Sequence, residues 1–475
     1  MLRHVAGLAR AESDSLEHSA VAAPPLTPSL TTRVAAIARA FAMGPLDVTS
    51  LGERGARAAN EPARRIVPLA LIVAAAFEGK TRPRAREIVA LLWADRPWLA
   101  RNTLHSPRTR QRSQSEWLSA VPTMCPVDSA SAWSPPSITT LSALASWLQL
   151  TVDELLWFSN CADLGQHDVA APRHHYHYLL RPKPHGGVRV LEAPQARLKE
   201  LQRRVLSEIL ERVPPYYSAA HAFVKGRSVR SFAAEHVGAN VLLRIDLADF
   251  FPRISGARVQ ALFRTLGYPE AVADALGGLC TNTVPAGVFS RGRWPMVPTA
   301  DLREARQVYA RPHLPQGAPT SPALANLCAY HLDCRLTGLA DWAGAVYSRY
   351  ADDLAFSGGP DVARRIERYA ATIGAIANDE GWLVQHHKTR IMRRSVQQRL
   401  TGVVVNARVN CPRGDVDRLR AILTNCVRHG AASQNRDGRP NFEAHLRGRI
   451  AWVRSVNVVK GARLQGIFDR IDWSK

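Results

Sequence analysis

Three aspartates occupy positions where a carboxylate is costly unless it holds a cation. Asp246 follows the apolar stretch 240–245 and precedes two phenylalanines, whereas Asp352 and Asp353 are adjacent and lie between apolar segments. Neighbouring carboxylates repel each other, and neither can be buried without a counter-charge. A divalent cation removes that penalty. A lone Asp-Asp pair is more often an exposed turn, so the apolar context is what favours a metal site here.

Phosphoryl transfer explains such a set of carboxylates. In a two-metal site, ions about 3.5–4 Å apart activate the attacking oxygen and stabilise the leaving oxygen. Mg²⁺ prefers a few carboxylates together with phosphates and water. We therefore predict that Asp246, Asp352 and Asp353 are catalytic residues and that they bind two Mg²⁺ ions.

The surrounding pattern predicts the elements that would position these aspartates. Residues 240–245 form a short apolar strand, and residues 348–356 read as two strands around a tight turn. From about residue 176 onward, short strands alternate with helical segments, as in a mixed α+β fold. We expect Asp246, at the end of one strand, to lie beside the hairpin tip that carries Asp352 and Asp353.

The first 135 residues differ in composition and are rich in Ala, Arg, Pro and Ser. Helices are predicted at 32–42 and 84–93, and a helix pair at 142–158 has a capping box that begins at Thr151. The arginine-rich stretch 101–112 is either an arm that touches RNA or a solvated linker.

The composition of the chain limits the classes of molecule that it is expected to bind. The chain has 62 Lys and Arg against 40 Asp and Glu, a formal net charge of +22 and a pI near 10.5, which indicates a polyanionic partner. No run approaches the ~18 apolar residues of a membrane span, so we expect no membrane association. The most apolar stretch, 67–77, contains Pro68 and reads as a buried helix. Seven cysteines without a C-x-x-C pair favour reduced thiols. Nucleic acid is the expected partner and the cytoplasm the expected location.

Several motifs together resemble the bacterial reverse transcriptases. In family order they are LLRPKPHGGVRVLEAP at 179–194, HAFVKGRS at 221–228, DLADFF at 246–251, LPQGAPTSPALANL at 314–327, YADD at 350–353 and QHHKTRIM at 385–392. The resemblance implies a right-hand polymerase of the α+β class. Its parts would be a helical N-terminal extension at 1–160, fingers and palm at 161–400, and a helical RNA-binding thumb at 401–475.

The resemblance also implies a nucleotide site. Phe251 falls where the family has an aromatic residue under the incoming sugar, which predicts dNTP over rNTP. Lys183 and Arg189 would grip the triphosphate, and Lys388 would neutralise or protonate the pyrophosphate. These residues could instead have no role in nucleotide binding. Phe251 would then be a core residue, and the three cations would be solvated surface residues.

The loop that begins with Gln316 and Gly317 completes the implied dNTP site. Glycine would let the backbone approach the nascent base pair closely. A proline-rich structural loop before a helix is compatible with the same residues.

Among reverse transcriptases, the chain most resembles those of retrons. Their N-A-x-x-H element corresponds to 232–236, where His236 matches and Phe232 replaces the asparagine, and their V-T-G corresponds to 400–402, with leucine first. The resemblance implies RNA binding by a set of residues in these elements and in the thumb. This set is His236, Thr401, Gly402, Arg447 and Arg449.

A retron enzyme copies a structured non-coding RNA, as template and primer, into a short DNA that stays linked to it. The implied partners are that RNA, dNTPs and the RNA–DNA product, with a separate effector protein as a candidate, and the implied role is anti-phage defence. Three alternatives stay open at this point: a group II intron-like enzyme, another defence-associated reverse transcriptase, and a catalytically silent RNA-binding scaffold.

Overall fold

The computed structural model describes residues 28–59, 61–79, 82–94, 122–160, 175–183, 186–213 and 218–473. The arginine-rich stretch 101–112 therefore lies outside the described residues. The chain divides into two compact units, Met1–Cys125 and Pro126–Lys475, which are described separately.

The first unit contains a group of helices around an apolar core. These helices are α1 (Pro28–Ala42), α2 (Val48–Ala59), α3 (Ala63–Phe77) and α4 (Ala85–Ala94). Their buried faces form one cluster, centred on residues such as Ile37, Phe41 and Leu69. The buried Arg54 donates to the carbonyl oxygens of Ala40 and Phe41, at the end of α1, where helix carbonyls lack intrahelical partners. The helices predicted at 32–42 and 84–93 and the buried helix at 67–77 are confirmed.

The second unit contains both helices and strands. Its helices are α5 (Leu141–Leu148), α6 (Val152–Phe158), α7 (Ala196–Glu208), α8 (Val229–Ala234), α9 (Gly256–Thr265), α10 (Glu270–Cys280), α11 (Thr299–Val308), α12 (Ser321–Cys328), α13 (Tyr330–Ala343), α14 (Pro360–Asp379), α15 (Arg413–His429), α16 (Phe442–Val456) and α17 (Val458–Phe468). Its strands are β1 (Tyr176–Pro182), β2 (Val188–Pro194), β3 (Val241–Ala248), β4 (Ala345–Tyr350), β5 (Asp353–Gly358), β6 (Leu383–Val384), β7 (Arg390–Arg393), β8 (Arg399–Leu400) and β9 (Val403–Val404).

A five-stranded antiparallel sheet holds the predicted aspartates. The strand order is β4-β5-β3-β6, and β7 pairs with β3 on the same edge as β6. β3 is buried along most of its length because it lies inside the sheet and α14 packs on it. β4 and β5 are joined by a tight turn in which Ala351 has φ +56°. The strands predicted at 240–245 and 348–356 are confirmed.

The hairpin of β1 and β2 lies apart from this sheet. Its buried side chains pack on the 284–309 segment, which contributes α11 and Tyr309.

The capping box at Thr151 is present, so the predicted helix pair is confirmed as α5 and α6. Both helices contact α10 and belong to the second unit. The boundary between the two compact units thus falls at residue 125 of the sequence. The division into extension, fingers and palm, and thumb, with boundaries at 160 and 400, remains a prediction.

The C-terminal helices α15, α16 and α17 form a further apolar cluster with β8 and β9. Leu446, Ile450 and Val453 lie on one buried face of α16, which leaves its other faces to basic residues and Trp452. Among the described helices of the whole chain, none has the length and apolar character needed to cross a membrane.

Candidate active site

The strand register brings the predicted aspartates together. Asp246 of β3 is paired directly with Asp353 of β5, and the Leu247 amide donates to the backbone oxygen of Asp352 at 2.9 Å. Asp246 and Asp353 are only 7 % and 8 % exposed. Because an antiparallel register fixes which side chains are opposite each other, the hairpin tip places its carboxylates beside Asp246.

These carboxylates lie in a poorly solvated and mutually repulsive environment. Burial raises the pKa of Asp352 to about 6, and the negative charges of Asp353 and Asp246 act in the same direction. Burial also raises the pKa of Asp353, while the neighbouring Arg244 opposes that rise. The cluster therefore favours the arrival of positive charge.

Two cations already contact the cluster. The Lys388 Nζ donates to Asp246 Oδ1 at 2.9 Å, and Arg244 donates to Asp353 Oδ1 from Nε and Nη2 at 2.8 and 2.6 Å. Sequence reasoning identified Lys388 but missed Arg244. The available signal was an arginine in an otherwise apolar strand, two residues before Asp246 and hence on the same face of β3.

The donor set suits Mg²⁺. Among the described residues, no three side chains of His, Cys, Asp or Glu form a ready-made metal cage. Mg²⁺ does not need one, since it is commonly held by one or two carboxylates, with substrate phosphates and water completing its shell. The buried Asp246 and Asp353 and the half-buried Asp352, which repel one another, provide oxygen ligands of that kind.

The predicted triphosphate cation Lys183 lies close to the same strand. Its Nζ donates to Asp249 Oδ1 at 2.7 Å, three residues after Asp246. Asp249 has φ +48°, and Asp301 of α11 accepts from the Gly187 amide at 2.9 Å, which holds the hairpin turn. The β1–β2 hairpin is thereby tied to the site. Arg189 lies in β2 with an exposed side chain, opposite Arg181.

The adjacent phenylalanines take different places. The ring of Phe250 is 4 % exposed and stacks on Trp382 at 4.9 Å, as a core residue does. Phe251 is half-buried, and its ring centroid is 6.2 Å from that of Phe223. Phe250 is therefore a core residue, whereas the expected contact of Phe251 with the nucleotide stays a prediction.

The Gln316–Gly317 loop packs on β2. The Gln316 carbonyl accepts from the Glu192 amide at 2.9 Å, and a Cβ added to Gly317 would lie 2.7 Å from the Glu192 backbone oxygen. Gly317 also has φ +140°. The glycine is therefore required by the close approach of two protein backbones. The expected approach to a nascent base pair stays a prediction.

A buried polar group that sequence reasoning missed supports this loop. The Glu192 side chain has no exposed surface and accepts from Asn282 Nδ2 at 2.7 Å, while His313 Nε2 lies 3.0 Å from its other oxygen. His313 is three residues before Gln316. Nothing in the sequence motif distinguishes Glu192 from an exposed strand residue.

The prediction that His236 binds RNA is corrected by the structure. His236 is 0 % exposed, and its ring nitrogens lie 2.7 Å from the hydroxyl oxygens of Ser357 and Ser348. Burial lowers the pKa of His236 to about 3. A side chain without exposed surface cannot contact RNA directly, so its role here is to join the segment that follows α8 to β4 and β5.

The remaining predicted RNA-binding residues lie in the C-terminal region. Thr401 and Gly402 form the turn between β8 and β9, where Thr401 has φ +41°. Its buried hydroxyl has no hydrogen-bond partner in the part of the chain that the structure describes. On α16, Arg447 is exposed and pairs with Glu443, whereas Arg449 is half-buried. The β-branched Thr401 is costly in that conformation, which is consistent with a role for the turn.

Much of the chain is similar to known proteins. Residues 181–405 match the family model described as reverse transcriptase (RNA-dependent DNA polymerase). The chain is 41 % identical over 304 residues to the retron Mx65 reverse transcriptase of Myxococcus xanthus, and 36 % identical over 337 residues to the retron Mx162 reverse transcriptase of the same organism. It is 28 % identical over 295 residues to the retron Ec86 reverse transcriptase of Escherichia coli.

These matches cover 63 %, 67 % and 62 % of this chain. They span 66 % and 64 % of the two Myxococcus xanthus proteins, just under two thirds of each, and 79 % of the Escherichia coli protein. The matched family region contains β2 to β9, the last two residues of β1 and all three aspartates. Residues 181–405 therefore form a domain of the reverse transcriptase family with its right-hand polymerase fold, and the chain is similar to the retron reverse transcriptases of bacteria.

Proposed function

We propose that this chain is an RNA-directed DNA polymerase of retron type, which copies a structured RNA into a short DNA that stays linked to that RNA. The observation that carries the proposal is the convergence of Asp246, Asp352 and Asp353 at one end of the sheet, with Lys388 beside them. The retron similarity of the chain supports the choice of template and product.

In the proposed reaction, a primer hydroxyl attacks the α-phosphate of a dNTP, a new O–P bond forms, and pyrophosphate leaves. Two Mg²⁺ ions held by the three aspartates would supply activation of the attacking oxygen and stabilisation of the leaving one. Before the metal ions bind, Lys388 would compensate the negative charge of Asp246, and Arg244 that of Asp353.

The cations around the site have separate roles in this proposal. Lys388 reaches the cluster from the turn that follows β6, where it would neutralise or protonate the leaving pyrophosphate. Lys183 and Arg189 of the β1–β2 hairpin would bind the triphosphate. Phe251 would lie against the sugar of the nucleotide, where a 2′-hydroxyl would clash with its ring.

The partners belong to the same proposal. The RNA would serve as template and primer, and the thumb helices with the Thr401–Gly402 turn would bind it through phosphate and shape contacts. A separate effector protein and a role in phage defence follow from the retron resemblance. The cytoplasmic location rests on the nucleic-acid partner and on the cysteines, which are unpaired throughout the described part of the chain.

Primer extension on an RNA template tests the polymerase part. The purified chain is expected to extend a DNA primer with dNTPs in Mg²⁺, to stop when a chelator is added, and to use rNTPs poorly. Asp352→Ala is expected to lose this activity, whereas Asp361→Asn, at an exposed carboxylate on α14, is expected to behave as wild type and serves as its control. No extension under any of these conditions would favour the silent RNA-binding scaffold.

Expression of the chain with its flanking DNA tests the retron part. The extracted nucleic acid is expected to include a short DNA that is sensitive to both DNase and RNase and is missing when Asp352→Ala is expressed. Free DNA that is lost in the same variant would keep the polymerase but reject the retron assignment, in favour of another defence-associated or group II intron-like enzyme.

A further inference from the structure

Phe223 combines two features that are individually costly. Its backbone has φ +60°, a region that a bulky residue rarely occupies. Its side chain is 49 % exposed, although it is a large apolar ring. Strained residues of this kind persist only where the surroundings fix them, and they cluster at functional sites.

The surroundings of Phe223 do fix it. The preceding residues are tied to β4, since the His221 amide donates to the Arg349 carbonyl at 2.8 Å. The buried Asn326 of α12 donates to the Ala222 carbonyl at 2.8 Å. Arg349 also donates to Asn326 Oδ1 at 3.0 Å, which closes the network.

That network joins Phe223 to the proposed active site. The Arg349 guanidinium also donates to the carbonyl oxygen of Ala351 at 3.2 Å, in the turn that carries Asp352. Asn326 belongs to the helix that follows the Gln316–Gly317 loop. These hydrogen bonds thus fix the position of the exposed ring relative to the turn that carries Asp352 and to the Gln316–Gly317 loop.

The position of the ring indicates what covers it. The ring centroids of Phe223 and Phe251 are 6.2 Å apart, with the planes tilted by 54°. A nucleoside whose sugar lies against Phe251 would bring its base within reach of Phe223. Every base has a π-face, so an aromatic contact binds all four with little preference, as a template-directed enzyme requires.

We infer that Phe223 is a second aromatic residue of the nucleotide site and that its ring packs against the base of the incoming dNTP. This inference rests on the proposed polymerase function and adds a residue that the family resemblance did not assign. The hydrogen bonds of the neighbouring residues hold Phe223 in its strained backbone conformation, so the ring is exposed before the nucleotide arrives.

Single-nucleotide incorporation on an RNA template tests the inference. Phe223→Leu keeps an apolar side chain but loses the aromatic face, and is expected to raise KM about tenfold for all four dNTPs. Because the ring would bind rather than react, kcat should stay within about twofold. Phe223→Tyr keeps the aromatic face and should restore the wild-type KM.

Two further variants separate binding from folding. Phe223→Asn removes the ring but suits the left-handed backbone, so it should raise KM like leucine while keeping the thermal stability of wild type. Trp342→Leu removes an exposed aromatic ring on α13 and should leave KM unchanged.

Three results would overturn the inference. The first is a wild-type KM in both Phe223→Leu and Phe223→Asn. The second is weaker binding of the RNA template with an unchanged KM for dNTP, which would assign the ring to the templating base. The third, no incorporation by the wild-type chain, would contradict the proposed function itself and this inference with it.

Discussion

Two groups of paired charges, one between α13 and β4 and one at the aspartates of the sheet, differ in how fully their carboxylates are hydrogen-bonded. In the core, Asp333 accepts from Arg349 through both oxygens, at 2.8 and 2.6 Å, and also from the Tyr347 hydroxyl at 2.8 Å. Both charged side chains are 0–1 % exposed. At the proposed site, and among the described residues, Asp246 and Asp353 each receive a cation on Oδ1 alone.

The cations also differ in their freedom to move. The side chains of Lys388 and Arg244 are 39 % and 34 % exposed, so water can replace the contacts that they give up. Arg349 has no such alternative. The comparison teaches that a saturated ion pair maintains the fold, whereas an unsaturated group of carboxylates with mobile cations is available to a metal and a substrate.

The largest effect is expected in the saturated pair. Asp333→Asn leaves Arg349 buried without a counter-charge and should lower the free energy of unfolding by about 3–5 kcal/mol. Chemical denaturation measures this. Asp341→Asn, at an exposed carboxylate on the same helix, is the control and should stay within about 0.5 kcal/mol of wild type. If Asp333→Asn were as stable as its control, the structural role of the pair would be wrong.

At the unsaturated group, the expected loss is in catalysis. Lys388→Met removes the cation beside Asp246 and should lower kcat by about a hundredfold, with little change in stability because the side chain is 39 % exposed. Lys388→Arg should recover part of the rate, since it restores the charge. Single-turnover incorporation measures this, with Lys199→Met on α7 as the exposed control. A kcat within threefold of wild type in Lys388→Met would exclude this role.

The buried His236 gives a pH-dependent effect of intermediate size. Its folded pKa of about 3 lies below the unfolded value near 6.5, so the unfolded state binds the proton first as the pH falls. Stability from this group is complete above pH 6.5 and declines below it, by about 2 kcal/mol at pH 5.

His236→Gln should remove this part of the pH dependence. Denaturation at pH 5 and pH 7.5 compares the two proteins, and His331→Gln, at an exposed histidine on α13, should keep the wild-type dependence. The same loss of stability toward acid in His236→Gln and in wild type would show that His236 is not the group responsible.

The smallest effect is expected on α16, where two arginines differ in their partners. Arg447 pairs with Glu443 and lies 5.8 Å from the Phe468 ring, so its charge is partly occupied. Arg449→Gln should therefore reduce the slope of log affinity against log salt for the template RNA by about one. Arg447→Gln should reduce it by less. Equal slopes in wild type and both variants would remove α16 from the RNA-binding surface.

The sequence predicted the strand elements and the three aspartates because their signals are local. An apolar strand that ends in Asp246, and a tight turn that carries Asp352 and Asp353, are visible in a few consecutive residues. The pairing of Asp246 with Asp353 follows once those strands are antiparallel neighbours.

Features that depend on distant residues escaped the same reasoning. His236 was assigned to RNA, yet Ser348 and Ser357, more than a hundred residues away, enclose it in the core. The bond of Lys183 to Asp249 and the left-handed backbone of Phe223 likewise follow from tertiary contacts. No local pattern in the sequence indicates these contacts or this backbone conformation.

The rate of a single dNTP incorporation in Asp352→Asn is the most direct test of the account. This variant removes one charge from the unsaturated group and leaves the Asp333–Arg349 pair intact. We predict that, in Mg²⁺ with an RNA template, the rate falls at least about a thousandfold while denaturation shows a protein as stable as wild type. A folded Asp352→Asn protein that incorporates dNTP at more than about a tenth of the wild-type rate would contradict the assignment of these carboxylates.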